Sequence, residues 1–216
     1  MRSNIIDVTR TKWWLAVIGA MSLTFASLPL RAQDRAAIVQ HARDLAIGVC
    51  GVCHGPDGNS KNPMFPRLAG QHAWYLVQQL KAFRDQTRGD PYAIAYMWGM
   101  ASELSDPTID ALADYFAHQK TGPGKRHNPA MLARGRDIFE HGLPSQGVPA
   151  CALCHGPDAL GSDQYPRLAG QHAEYILKQL GSFQSNMRDI AVMHGVAQNL
   201  RTPEMQAVAA YLESLP

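Results

Sequence analysis

The chain has 216 residues, of which 46% are hydrophobic and 18% charged, with Gly and Pro near average usage. That excludes a mostly disordered chain and a collagen-like or low-complexity one, and it leaves room for one or two domains with real cores. A formal net charge of +2 is too weak a bias for a nucleic-acid-binding face, and four Cys are too few to staple a chain of this length.

Residues 1–12 hold Arg2, Arg10 and Lys12 against Asp7, the run from Trp13 to Leu30 carries no charge, and Leu30-Arg31-Ala32 reads as a cleavage site. A basic region, an apolar region and a small residue are the parts of a cleavable export signal, expected over 1–32. The competing reading is an uncleaved membrane anchor. The run is 18 residues, borderline for a span, and Ser22, Thr24, Ser27 and Pro29 weaken its second half. No other uncharged stretch is long enough to span. Removing 1–32 takes away four bases and one acid, so the net charge falls from +2 to −1.

The remainder is one domain written twice. Cys53-His54-Gly55-Pro56-Asp57 recurs as Cys154-His155-Gly156-Pro157-Asp158, and the eight residues Pro66 to Ala73 recur without change as Pro166 to Ala173. Self-similarity over this length marks duplication of a whole domain. The Gly/Pro-rich stretch from Thr121 to Pro129 reads as the linker, giving domains at 33–122 and 123–216.

Each copy reads as helical, with no convincing alternation of a strand. Opening helices are expected over Asp34–Ile47 and Pro129–His141. Second helices are expected over His72–Arg84 and His172–Gln184, with Tyr75, Leu76, Leu80 and Phe83 matching Tyr175, Ile176, Leu180 and Phe183 on one face. Closing helices start at Asp106-Pro107 and Thr202-Pro203, each a capping residue followed by Pro. Copy two has eight extra residues between its opening helix and its first Cys.

All four Cys fall in Cys50-Gly51-Val52-Cys53-His54 and Cys151-Ala152-Leu153-Cys154-His155. C-x-x-C-H is the signature of covalent c-type heme attachment: two thiols about one helical turn apart reach the two vinyl groups of a porphyrin, and the adjacent imidazole faces the iron. A structural zinc site, a thioredoxin-like redox pair and disulfides compete with that reading. Against them, each Cys pair lies in its own copy with its own His, and no βαβ context surrounds them. For a sixth ligand, Met97 and Met193 stand at equal distance before the closing helices, whereas Met100 aligns with Val196. Thioether ligation is an ordinary c-heme choice. His72 and His172 rival the two Met. His41, His118, His127, His141 and His194 have no repeat partner and are expected at the surface.

On both C-x-x-C-H-G-P motifs, both P-R-L-A-G-Q blocks and both Met-to-closing-helix segments, the chain over 33–216 resembles the diheme cytochrome c4 family. That resemblance implies an all-α fold of two tandem class I cytochrome c domains and two covalent heme c groups. It implies His54 and His155 as proximal ligands, Met97 and Met193 as distal ones, and Pro66 and Pro166 carbonyls accepting from the proximal imidazoles. It places the block holding His72 and His172 away from the sixth position. It also implies that opening and closing helices cross through a small residue and an aromatic. Gly135 and Phe139 against Tyr211 fit; Ala42 and Ala46 against Tyr115 depart from it.

The function implied is that of a periplasmic carrier of single electrons, not an enzyme and without a small-molecule substrate. Its partners would be a quinol-oxidising complex or other donor and a terminal oxidase or reductase, with peripheral membrane association allowed and no nucleic acid. The alternatives are the diheme subunit of a dehydrogenase complex such as a flavocytochrome, and a diheme enzyme. Related thiosulfate-oxidising hemes use a distal Cys, and no fifth Cys exists here.

Overall fold

The computed structural model describes residues 27–216, so the expected export signal lies, up to residue 26, outside the described residues. Both C-x-x-C-H motifs and both eight-residue blocks fall within one compact unit, His41–Pro216, and the expected first domain starts eight residues before it. No strand occurs among the described residues; the nearest approach is a single antiparallel bridge between Leu143 and Val148.

Copy one runs α1 (Ser27–Leu45), a π-turn (Ala46–Cys50), α2 (Gly51–His54), α3 (Ala73–Arg84), a second π-turn (Ala93–Met97), α4 (Trp98–Ala101) and α5 (Asp106–Ala117). Copy two runs α6 (Pro129–His141), a 3₁₀ turn (Pro144–Gln146), α7 (Ala152–His155), α8 (Ala173–Gln184), α9 (Ala191–Ala197) and α10 (Thr202–Ser214). The opening helix of copy one is described from Ser27, seven residues before the expected start. Helical structure over 32–54 is long and apolar enough to cross a membrane by length and composition. It bears the first C-x-x-C-H, and Ala42 and Ala46 within it are core residues.

The closing helices start as expected, but their caps sit one residue earlier. Ser105 caps α5 by accepting from the Thr108 amide, so Asp106 and Pro107 lie within the first turn. At α10 the capping group is a carboxylate from inside the helix: Glu204 accepts the Arg201 amide at 2.7 Å.

Apolar faces meet as the helix periods dictate. In copy one Ala42, Ala46, Leu76, Leu112, Ala113 and Phe116 form the core. Copy two has a larger core, including Ile138, Phe139, Ile176, Leu180, Val208 and Leu212. Its α6 and α10 cross at Gly135, where a Cβ would run into the Ala207 carbonyl and lie 2.8 Å from the Tyr211 Cβ. The eight extra residues fold back through the Leu143–Val148 bridge and bury Val148 in this core.

The copies meet through reciprocal bonds between identical motifs. Gln171 accepts the Arg67 amide at 2.8 Å and donates to the Arg67 carbonyl at 2.9 Å. Gln71 does the same for Arg167 at 3.0 and 2.9 Å. His72 Nε2 donates to the Leu160 carbonyl and His172 Nε2 to the Ser60 carbonyl, both at 2.9 Å. The linker, without regular structure over 120–128, is tied to both copies: the Gly122 amide donates to Asn59 and the Lys125 amide to the Glu213 carbonyl.

Candidate heme sites

The Cys–His segments are single helical turns, α2 and α7, that end where Gly55 and Gly156 take φ of +80° and +77°. A side chain there would be strained, so the glycines let the chain leave directly after each His. Both His are buried at 7% exposure. His54 Nδ1 donates to the Pro66 carbonyl at 2.8 Å and His155 Nδ1 to the Pro166 carbonyl at 3.0 Å. These are the carbonyl bonds the resemblance implied. It fixes the ring and leaves Nε2 as the available lone pair. Burial pushes both imidazoles below their ordinary range, partly opposed by those carbonyls, which favours the neutral form that ligates metal. An aromatic ring stands edge-on to each, Phe65 at 6.1 Å and Tyr165 at 5.9 Å.

In copy one these groups border a cavity of about 410 Å³. Cys50, Cys53 and His54 line it with Leu68, Phe83 and Met97, and it reaches Tyr175 and Gln179 of copy two. All four Cys are free thiols, so the disulfide reading fails. No cluster of three metal-binding side chains occurs among the described residues, which gives the zinc reading no footing. Burial raises the thiol of Cys50 and pushes that of Cys151 up to about 11.

A porphyrin fits this site. The thiols, the imidazole and the apolar walls stand around one cavity, and Arg67 at its edge keeps a buried Nε with no hydrogen-bond partner, suited to a carboxylate substituent. Met64, Met97 and Met100 all line the cavity. Met100 is 49% exposed and the Tyr96 hydroxyl lies 3.9 Å from the Met64 sulfur, while Met97 closes the second π-turn and packs on Phe83, Ala93 and Ala101. In copy two Cys151 and Met193 pack against the core. His72 and His172, the rival ligands, bond across the seam, and neither lines the cavity.

Sequence reasoning missed three groups. His127, expected at the surface, is 19% exposed and donates to buried Glu213 at 2.7 Å. His194, also expected there, is tied to the Phe183 carbonyl through Nδ1. The third is the buried pair of Arg88 and Arg188, which repeats at the same offset as Phe83 and Phe183 and could have been found that way.

The family model described as Cytochrome c matches twice, over residues 37–120 and 132–216. Cytochrome c4 of Stutzerimonas stutzeri is 40% identical over 180 residues, covering 78% of this chain and 85% of that protein. The chain belongs to the cytochrome c4 family. The solved structure of Acidithiobacillus ferrooxidans cytochrome c4 superposes with a TM-score of 0.73 at 43% identity, covering 77% of this chain and 98% of that one. A thiosulfate dehydrogenase electron acceptor of Thiomonas intermedia is 37% identical over 175 residues, covering 77% of this chain and 78% of its own length. As a cytochrome c4 the molecule is a diheme electron-transfer protein, with one covalently attached heme c per copy.

Proposed function

We propose that each heme is held by one C-x-x-C-H and one repeat-paired Met. Cys50 and Cys53 bond the first porphyrin, with His54 and Met97 on its iron; Cys151 and Cys154 bond the second, with His155 and Met193. The observation that carries this is the His54–Pro66 bond and its repeat in His155–Pro166, which engage Nδ1 and leave Nε2 of each imidazole as the nitrogen that would ligate iron. The bound hemes supply reversible one-electron exchange, and a weak Met donor favours the ferrous state relative to bis-His ligation. The residues would do the rest: His54 with Met97 and His155 with Met193 would hold the irons, exclude substrate from the metal and shield it with apolar walls. We read the protein accordingly as a carrier and not an enzyme, with an export segment over 1–32 and heme domains over 33–122 and 123–216.

Its place is the periplasm, between a quinol-oxidising complex or other donor and a terminal oxidase or reductase. The x-positions of both motifs, Val52 and Leu153, are 81% and 79% exposed and offer such partners an apolar contact. Met97→Ala and Met193→Ala each remove the far-red thioether charge-transfer band of one heme in the oxidised protein, halving it; an undiminished band in both variants contradicts the ligand assignment.

A second reading has the chain working as the electron acceptor of one dedicated dehydrogenase, favoured by the similarity to the Thiomonas protein. Co-purification with a stable second subunit decides for it.

A further inference from the structure

Three carboxylates are buried among the described residues, and one differs from the others in what holds it. Asp90 accepts from Arg88 and Glu204 from Arg201, guanidiniums whose charge does not titrate in proteins. Glu213 is held by two imidazoles: His127 Nε2 donates at 2.7 Å and His172 Nδ1 at 3.1 Å. Burial raises its carboxyl, and those two donors outweigh burial and keep it below the usual range, so the group is ionised at neutral pH. His172 is itself 4% exposed, and its other nitrogen also meets an acceptor, the Ser60 carbonyl of copy one at 2.9 Å. A neutral imidazole has one N–H, so it serves one of these acceptors and turns a lone pair on the other. Both bonds stand together only when the ring carries two protons. In copy one His72 bonds the Leu160 carbonyl in the same way, but the residue matching Glu213 is Ala117, and a neutral ring suffices there.

We propose that His172 is a cationic positioning residue, which clasps the first heme-attachment turn from the opposite copy and releases it when its ring loses one proton to solvent. The route is short. Ser60, 2% exposed, receives His172 on its carbonyl and donates through Oγ to the carbonyls of Cys53 at 3.2 Å and Asn62 at 2.9 Å. Cys53 belongs to the first C-x-x-C-H, so α10 and the approach to α8 reach that motif through one imidazolium. Copy two has Gly161 in the place of Ser60 and no hydroxyl for a return route. The charges that face the ring are Glu213 on α10 and, through it, His127 and Lys125 of the linker. On the copy-one side Lys61 is exposed near Asp57, and Arg67 is turned to the Pro123 and Gly170 carbonyls. On its own side Arg167 bonds the Pro216 carbonyl, and Glu174 is taken by Lys178. Charge-assisted bonds are roughly twice as strong as neutral ones, so losing the proton weakens the tie to Glu213 and sets a lone pair against one of the two acceptors. The clasp holds while Glu213 is ionised and the ring doubly protonated, and it is lost as the pH rises. Neither iron takes part, so the inference stands apart from the axial ligands.

The test is NMR of the His172 ring nitrogens in the reduced holoprotein as the pH is varied. At neutral pH both nitrogens carry protons; a bare nitrogen there overturns the proposal with no variant needed. As the pH is raised and one proton leaves, the Leu68 and Ala69 amides, which donate to the Gly58 carbonyl in the same loop as Ser60, lose exchange protection on the order of tenfold, after correction for the intrinsic pH dependence of exchange. Protection that stays level across that step contradicts the clasp. Glu213→Gln keeps an acceptor without its charge and moves the loss of the second proton to lower pH; a loss at unchanged pH refutes the pairing. His172→Gln retains a donor for Ser60 but cannot titrate, so the step in protection disappears, and a step that persists in it assigns the effect to another group and sinks the proposal. The far-red band of the same samples, once oxidised, reports the axial ligands independently.

Discussion

Gly135 shows how much one missing methyl decides. Its Cα faces the Ala207 carbonyl and the Tyr211 Cβ, backbone and branch point that have no flexible end to move aside. Ala42 holds the corresponding place in copy one, so the two crossings differ in closeness. Gly135→Ala is expected to cost about 1–3 kcal/mol in denaturant unfolding, as overpacking does, with both heme spectra unchanged. A cost near zero means the helices can part without penalty. At this scale the attachment chemistry was legible, because thiol spacing and the adjacent imidazole are fixed by the porphyrin itself. Asp90 and Glu213 were not, because nothing in a lone acidic residue says whether it faces water or a guanidinium.

Between elements, a buried carboxylate ties the linker and α10 to the residue that precedes α8. Glu213 accepts from His127 at 2.7 Å and from His172 at 3.1 Å. Burial raises its carboxyl, and those two bonds outweigh burial and hold it below the usual range. A depressed carboxylate contributes stability that is complete above its unfolded value of about 4.3 and is lost as pH falls through the folded one. Glu213→Gln should therefore lower stability by about 1 kcal/mol at neutral pH, the difference between charged and neutral hydrogen bonds. The deficit should close as pH falls below about 4. Denaturant midpoints across pH check it; a deficit that stays constant in acid contradicts it. The opening, second and closing helices were legible to within a residue or two, except for the start of α1, whereas α2, α4, α7, α9 and the two π-turns carried no expectation. Helix α1 is described from Ser27, seven residues before the expected start at Asp34.

For the whole molecule, duplication was plain in the sequence while the way the copies join was not. Gln71 and Gln171 stand in an unchanged eight-residue block, yet their partners are the backbone of the opposite copy, about 100 positions away. Only the fold brings those together. The result is a pair of heme sites on one tied frame, the first cavity reaching across the seam to Tyr175 and Gln179. Apparent basicity had no part in this: with 1–32 removed the chain is net −1, each copy is close to neutral, and the exposed groups at the attachment motifs are Val52 and Leu153. On the proposed ligation, one chain carries two fully ligated His/Met hemes that exchange single electrons. Spectroelectrochemical titration of the holoprotein tests it most directly. It should resolve two one-electron steps, with low-spin spectra and the thioether band for both oxidised hemes; an open high-spin heme, a bis-His heme or a single step from one heme would contradict it.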